Sequence, residues 1–433
     1  MKAIPLALSG IALALAPPMA HCESHWFKGN THTHTLWSDG NDFPESVAGF
    51  YRDRGYHFLV LSDHNVLSRA PDRWMSEEAI RRRQKALSRT AIQKAAERFG
   101  DDWLEARDND GIREYRLKTL DEIRPLFEKP GEFIFVEGEE ITVSGSLEGG
   151  QKLIVHLNAL NLTEVLPPIK AMTVRETIRA NLKAAAEQAE ATGEPILAHL
   201  NHPNFQWGVS AEDLAHVIEE EFFEVYNGHP GINHLGDASR PSDERIWDIA
   251  NTIRIDQLAA APLFGIASDD SHDYHGGDVS PGRGWVQVRA PELEARALVS
   301  AMRAGDFYAS TGVTLDAVSF DRDTGALHLQ IRPEDGVTFT TTITGTREGF
   351  DRTTTEIAPP EGDPYEKRLA YSEDVGATIA TVEGESVTYT LAGDELYVRA
   401  TVNSSKPHPN PSFKDQHEKA WTQPVGWKKR IGQ

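Results

Sequence analysis

The sequence has few of the features that tie a chain to disulfide bonds, membranes or nucleic acids. Its 433 residues include one cysteine, Cys22, so no disulfide can form within the chain. Lysine and arginine number 44 against 66 aspartates and glutamates, which gives a formal net charge of −22. A surface this acidic repels nucleic acid and other phosphates unless metal ions or a few arginines reverse the local field.

Two common catalytic motifs are also missing. The sequence has no G-x-S-x-G nucleophile elbow, and no G-x-x-x-x-G-K phosphate-binding loop. No internal repeat is present. A chain of this length is expected to form about two domains, and their chemistry must come from other residue types.

The N-terminal segment has the pattern of an export signal. Lys2 precedes an apolar run from about Ile4 to Ala16, and small or helix-breaking residues lead to Ala20. We therefore expect residues 1–20 to be a cleaved signal peptide, and the mature protein to be periplasmic or secreted. The run is too short to cross a bilayer and no later run is long enough, so no stable membrane anchor is expected.

Residues 21–312 alternate apolar, strand-like runs with helical stretches. This alternation predicts an α/β domain of parallel β/α units, open or closed into a barrel. In such folds the chemistry lies at the C-terminal ends of the strands. Residues 71–130 interrupt the rhythm and are predicted to be a charged, helical insertion, either a lid or a solvated excursion. The predicted strands are HFLVLSDHN, EFIFVEGEEITV, KLIVHLNAL, EPILAHLNHPN, EFFEVYNG and PLFGIASDDSH.

The C-terminal third has a different pattern. Residues 313–403 alternate apolar and polar positions and are rich in threonine and valine, which predicts a small, all-β, sandwich-like domain. Residues 404–433 are predicted to be a tail that packs along the first domain.

Histidines and carboxylates recur where the predicted strands end. Imidazole and carboxylate are ligands of zinc, manganese and iron, and one carboxylate can bridge two ions. Because a buried, unpaired histidine or carboxylate is costly, such a set predicts a metal site rather than scattered polarity. The candidate ligands are His32, His34, Asp39, His64, Glu140, His156, His202, Asp270 and His272.

The ordered motifs HTHTLWSDG, SDH, G-x-E, H, HP and D-x-H resemble the PHP (polymerase and histidinol phosphatase) family over residues 26–312. EVYNGHP, GRGWV and FYASTG resemble exported members with a β-rich C-terminal domain. The resemblance implies a distorted (β/α)7, TIM-like barrel with two or three divalent metal ions at the strand C-termini. It usually implies phosphoester hydrolysis, although some relatives hydrolyse other esters, including carbamates.

The resemblance also implies how the ligands group. One ion would take His32, His34, Glu140 and Asp270; Glu140 would bridge to a second ion on His156 and His202; Asp39, His64 and His272 would hold a third. Some members have a histidine near position 39, so two or three ions stay possible. Motif spacing favours Glu140 over Glu139, His202 over His199, and Asp270 over Asp269.

Four residues are predicted to be catalytic: Glu140, Asp270, His229 and Arg283. His229 in YNGHPG is expected to contact substrate or act as an acid, with a structural role as the alternative. Arg283 in PGRGW is expected to bind phosphate bidentately, with a surface turn arginine as the alternative. Asp63 is expected to orient a ligand without binding metal.

Three functions are compatible with these residues. The first is a metal-dependent phosphoesterase that hydrolyses a small phosphate ester with a metal-activated water. The second keeps the metals and changes the bond to a carboxylic or carbamate ester, or an amide. The third is a non-catalytic, exported metal- or carbohydrate-binding protein, for which Trp421 and Trp427 are candidate sugar-binding aromatics. The oligomeric state is not indicated.

Overall fold

The computed structural model describes residues 24–84, 90–358 and 368–433. These form a mixed α/β structure with one thirteen-stranded sheet, three small sheets and eight α-helices. The predicted export signal and Cys22 lie outside the described residues. Among the described residues, no helix is long and apolar enough to cross a membrane.

The elements follow one another in this order. The α-helices are α1 Pro44–Arg52, α2 Glu77–Arg83, α3 Ala91–Phe99, α4 Leu120–Phe127, α5 Val174–Thr192, α6 Ala211–His216, α7 Asp243–Leu258 and α8 Ala295–Arg303. The strands are β1 His25–Asn30, β2 Phe58–Leu61, β3 Trp74–Ser76, β4 Ala106–Asn109, β5 Ile112–Arg116, β6 Ile134–Ser146, β7 Lys152–Leu160, β8 Leu197–Leu200, β9 Phe222–Asn227, β10 Phe264–Ser268, β11 Trp285–Ala290, β12 Phe307–Ser310, β13 Leu315–Asp321, β14 Ala326–Ile331, β15 Phe339–Arg347, β16 Thr354–Ile357, β17 Arg368–Tyr371, β18 Ala377–Glu383, β19 Ser386–Thr390, β20 Glu395–Pro407 and β21 His417–Thr422.

The central sheet has the strand order β10-β9-β8-β7-β6-β2-β1-β11-β12-β21-β20-β15-β18. All six predicted strands of the first domain are present. The pairs β1/β2, β2/β6, β8/β9 and β9/β10 are parallel, as expected. The prediction is wrong for β7, which runs antiparallel to both neighbours. The chain returns from β6 through residues 147–151, a connection too short for a crossover helix.

The first seven strands in this order run from β10 to β1. Backbone hydrogen bonds join the segments that follow the two end strands of this part of the sheet, β1 and β10. After β1 and β10, the His34 amide donates to Ser271 O at 3.0 Å and the Asp270 amide donates to His32 O at 2.9 Å. These bonds bring the ends of β1 and β10 side by side. Closure of the sheet into a barrel stays a prediction.

The insertion at 71–130 is not wholly helical, which corrects the prediction. It contains α2, α3 and α4 but also the three-stranded sheet β3-β5-β4. β4 and β5 are joined by Asp110 and Gly111, whose φ angles are 51° and 82°. Asp-Gly with two positive φ angles is a type I′ hairpin signal. The insertion contacts the loop after β1, where Trp37 Nε1 donates to Lys118 O at 3.1 Å.

The C-terminal third continues the central sheet. β12, β21, β20, β15 and β18 are antiparallel neighbours, and β13, β14 and β19 form a separate sheet. A shared apolar core lies between them, with Leu327, Ile343 and Val398 at its centre. Within the predicted tail, β21 lies between β12 and β20 and so ties both halves of the chain together. The domain boundaries at 312 and 403 stay predictions.

Candidate metal centre

The structure brings all nine candidate ligands to one edge of the central sheet. Loops that follow strands carry His32, His34, Asp39, His64, His202, Asp270 and His272. Glu140 and His156 instead lie within β6 and β7, which corrects their placement at strand ends. β7 is antiparallel, so its first half reaches the edge at which the parallel strands end.

The Glu140 carboxylate is at the centre of this cluster and is almost fully buried. The backbone of Glu140 forms an isolated parallel β-bridge with that of His64, which extends the β2/β6 pairing beyond the end of β2. The closest ring contacts of the carboxylate are His64 Nδ1 at 2.6 Å and His156 Nδ1 at 3.0 Å. Three further ring nitrogens each lie 3.5 Å from one of its oxygens: His32 Nε2, His34 Nε2 and His202 Nε2.

Asp270 is a second buried carboxylate in the cluster. Its Oδ1 lies 3.3 Å from His32 Nε2 and 3.1 Å from His34 Nε2, and its Oδ2 lies 3.8 Å from His202 Nε2. The backbone at Asp270 has a φ of 48°, an uncommon value for a residue other than glycine. Strained backbone of this kind is found often at functional sites.

Asp39 forms the outer part of the cluster. Its side chain is 53% exposed, whereas that of Glu140 is 1% exposed. Asp39 oxygens lie 3.3 Å from His272 Nε2, 3.4 Å from His64 Nε2 and 3.5 Å from His34 Nδ1. The entrance to the site is therefore on the Asp39 side.

The ligand atoms fall into four overlapping groups, each with atoms within 4.8 Å of one another: His34, Asp39, His64 and His272; His32, His202 and Asp270; His32, His34 and Glu140; and Glu140, His156 and His202. Within the described part of the chain, four buried atoms lie close to other ligand atoms but are not oriented to form a hydrogen bond with them: His32 Nε2, His34 Nε2, His156 Nε2 and Glu140 Oε2. Buried polar atoms normally have partners, and imidazole and carboxylate donors suit divalent cations. The residues therefore fit divalent metal ions, without fixing their number or identity.

The cluster is electrostatically coupled. Burial alone would raise the pKa of the Glu140 and Asp270 carboxyls, but the surrounding histidines hold both pKa values well below the usual range. Burial likewise opposes protonation of His64, yet Glu140 and Asp39 raise its pKa to about 11. The protein has thus gathered negative charge that strongly favours cations.

Glu224 on β9 is a supporting residue that the sequence analysis missed. It is fully buried, and its Oε1 accepts hydrogen bonds from His32 Nδ1 at 2.7 Å and Ser268 Oγ at 2.5 Å. Its Oε2 accepts from the His202 amide at 2.9 Å and from Asn227 Nδ2 at 2.8 Å. Because a carboxylate only accepts, the proton of neutral His32 is on Nδ1 and Nε2 is left with a lone pair toward the cluster.

Asp63 lies outside the four ligand groups and contacts the turn that follows His34. Its carboxylate accepts from the Thr35 amide and Thr35 Oγ1, both at 2.8 Å, and from the Ser38 amide at 3.0 Å. These bonds fix the turn that carries His34 and Asp39.

The three neighbouring alternatives lie outside the four ligand groups. Glu139 accepts from the Leu166 amide at 2.6 Å. Asp269 accepts from the amides of Gly282, Arg283 and Gly284 at 2.6–2.8 Å. His199 is fully buried beside the cluster, and neither of its ring nitrogens makes a hydrogen bond to a described residue.

His229 lies at the rim of the cluster. Its ring centroid is 5.7 Å from that of His272, and its Nδ1 accepts from the Gly231 amide at 2.9 Å. The neutral ring therefore carries its proton on Nε2. Burial lowers the pKa of His229, which favours this neutral form.

Arg283 is not a surface turn residue, and its role in phosphate binding stays a prediction. It is 4% exposed, and its guanidinium donates to Gly228 O at 2.8 Å, Asp278 O at 2.6 Å and Asn410 O at 3.2 Å. Carbonyl groups thus take the donors that a phosphate would need. Arg283 instead holds Gly228, next to His229, against Asn410 of the C-terminal segment.

No protein-family model and no curated protein matches the sequence. Solved structures similar to the chain include the following two. One is a two-domain protein from Bacteroides vulgatus containing a predicted PHP-like metal-dependent phosphoesterase, with a TM-score of 0.37, 13% identity, and 96% of this chain and 99% of that chain covered. The other is a predicted metal-dependent phosphoesterase from Bifidobacterium adolescentis, with a TM-score of 0.26, 15% identity, and 57% and 87% covered.

Proposed function

We propose that this chain is a metal-dependent phosphoesterase that hydrolyses a small phosphate ester with a metal-activated water. The observation that carries the proposal is the buried donor cluster around Glu140. Four of its ligand atoms make no hydrogen bond to the described residues, although each lies beside others of the same kind. A cluster of this composition is explained by cations and is costly without them.

The proposed ligands are the nine side chains named from the sequence, with Glu140 shared between two ions and Asp39, His64 and His272 on a third. Zinc, manganese and iron all suit this donor set. Bound ions would lower the pKa of a water and offset the charge of the phosphoryl oxygens. The strand arrangement is proposed to close as a distorted (β/α)7 barrel.

The side chains of the chain itself have separate proposed roles. Glu140 and Asp270 keep the histidines turned inward, and Glu224 holds His32 with Nε2 toward the cluster. His229 presents Nε2–H at the rim, where it can donate a hydrogen bond to the ester. A substrate enters past Asp39, the most exposed of the predicted ligands.

Export of the mature protein to the periplasm or beyond is part of the proposal, and it depends on residues 1–20. The second candidate function keeps the metals and changes the bond to a carboxylic or carbamate ester, or an amide. The conformation of Arg283 supports this second candidate, because the one arginine predicted to bind phosphate donates to carbonyl groups instead.

The structure weighs against the carbohydrate-binding alternative. Trp421 is 1% exposed and Trp427 is 9% exposed, so neither offers a face for stacking a sugar. Trp421 packs against Tyr226, with ring centroids 5.9 Å apart.

The test is hydrolysis of p-nitrophenyl phosphate by the purified protein, loaded with manganese or zinc. The His32→Ala variant should lose more than about 100-fold in kcat/KM, since even residues behind the ligands cost 10–100-fold. His328→Ala, an exposed histidine on β14, is the matched control and should keep full activity. Metal-loaded protein that leaves this ester intact and cleaves p-nitrophenyl acetate would favour the second candidate; no turnover of either would contradict both.

A further inference from the structure

A second cavity, of about 670 Å³, lies at the opposite end of the sheet from the metal centre. Phe264 and Phe307, the first residues of β10 and β12, line it, whereas the metal cluster follows the last residue of β10. The five residues of β10 span roughly 13 Å, so the cavity is separate from the metal centre. Hairpin β13–β14 and residues 423–433 form its other walls.

The interior of this cavity is apolar and incompletely buried. Phe264, Val318, Phe320, Leu391 and Val425 all line it, and each is only partly covered by the protein core. Pockets of 300–1,000 Å³ with such walls are typical of small-molecule sites. An apolar body placed here would remove these side chains from water.

Basic side chains outnumber acidic ones in the lining of the cavity, five to three, although the chain as a whole is strongly acidic; exposed Asp323 is among the acidic ones. Arg322, Lys428 and Lys429 line the cavity and are exposed, and no ion pair joins any of the three to an acidic residue among those described. The two other arginines in the wall are neutralised: Arg289 pairs with Asp306 at 2.7 Å, and Arg430 pairs with Glu348. At the mouth, these three cations have no carboxylate partner among the described residues, although Lys428 Nζ also lies 5.5 Å from the centroid of the Trp427 ring.

We propose that this cavity binds a small amphipathic anion, with an acyl or aryl body inside and a carboxylate, sulfate or phosphate head at the rim. The partly exposed apolar walls account for the body, and Arg322, Lys428 and Lys429 account for the head. A neutral apolar ligand would leave the three cations without a role. The site is independent of the hydrolytic centre and of the reaction proposed there.

The test is calorimetric titration of the full protein with octanoate, octyl sulfate and 1-octanol. Both anions should bind with one site per chain and more tightly than the alcohol, and their affinity should fall as salt rises. Preference for one anion identifies the head group. Equal affinity for 1-octanol, or no saturable binding of either anion, overturns the proposal.

Variants separate the rim from the interior. Lys428→Gln/Lys429→Gln should weaken octanoate about 3- to 10-fold and leave 1-octanol unchanged, as expected for two exposed charge contacts. Lys183→Gln/Lys414→Gln removes the same charge elsewhere and should leave octanoate binding unchanged. Val318→Trp, on β13, should fill the cavity and abolish binding of all three probes. Equal weakening by both lysine pairs would mean that only net charge matters, and would refute the site.

Discussion

Replacement of Glu224 by glutamine tests whether a residue behind the ligands organises the metal centre. Glu224 accepts four hydrogen bonds: from His32 Nδ1 and Ser268 Oγ on one oxygen, and from the His202 amide and Asn227 Nδ2 on the other. Glutamine offers one oxygen and one NH2 group. Whichever way the amide turns, its NH2 faces two of these donors. At least one of them, His32 Nδ1 or the His202 amide, then loses its acceptor, whereas Asn227 Nδ2 still has Asp270 Oδ2 at 3.2 Å.

The size of the effect follows from that mismatch. A buried donor left without an acceptor costs about 1–3 kcal/mol, so Glu224→Gln should lower the free energy of unfolding by at least about 1–3 kcal/mol. The charge-assisted bond to His32 also weakens, and with it the fixed orientation of Nε2. Loss of such a partner typically lowers metal affinity 10–100-fold, or about 1.4–2.7 kcal/mol.

The assay is a competitive zinc or manganese titration of the folded variant, with unfolding followed separately in urea. Glu220→Gln is the matched control: Glu220 precedes β9, is fully buried, and has an Oε2 that makes no hydrogen bond to the described residues. It should leave metal affinity unchanged. Wild-type metal affinity in folded Glu224→Gln, or an equal loss in both variants, would refute the role of Glu224.

Three further predictions concern the outer ligand group, the buried acid and the loop arginine. Asp39→Asn should lower the metal content by about one ion per chain with little change in stability, and unchanged stoichiometry by mass spectrometry would argue against a third ion. Burial raises the pKa of Glu220 from 4.5 to about 8, so the folded chain retains a proton there that the unfolded chain releases above pH 4.5. From pH 5 to pH 7, the free energy of unfolding of the wild type should therefore fall by about 2–3 kcal/mol relative to that of Glu220→Gln, as measured in urea. Parallel pH profiles of the two proteins would contradict this. In Arg283→Lys, the single ammonium group cannot reach both Gly228 O and Asn410 O, so kcat should fall while the metal content stays constant. A loss of metal would instead indicate that Arg283 supports the metal ligands.

Much of the site could be predicted because its signals are local. An apolar run followed at once by histidine or aspartate is visible in HFLVLSDHN and in PLFGIASDDSH, and the structure places His64 and Asp270 at one edge of the sheet. The α5 bounds, Val174–Thr192, also follow from helical periodicity and from the Thr173 cap.

The features that were missed depend on tertiary contacts or on a turn that was not recognised. Glu224 lies inside EFFEVYN, where a strand pattern gives no sign that His32, nearly 200 residues earlier, requires its carboxylate. The direction of β7 follows from a short connection and not from its own residues. The Asp110-Gly111 hairpin did carry a sequence signal, which was overlooked within a charged segment.

The charge of the chain explains why metal ions suit this site so well. Three cations that border the cluster are engaged by the protein itself: Arg283 with carbonyl groups, Lys94 with Asp42 and Tyr274 O, and Arg83 with Gly40 O. An anionic ester approaching a chain of net charge −22 therefore finds few unengaged N–H donors in these side chains. Ions held by the inner carboxylates would reverse the field within a few ångströms, while the acidic surface continues to repel larger polyanions.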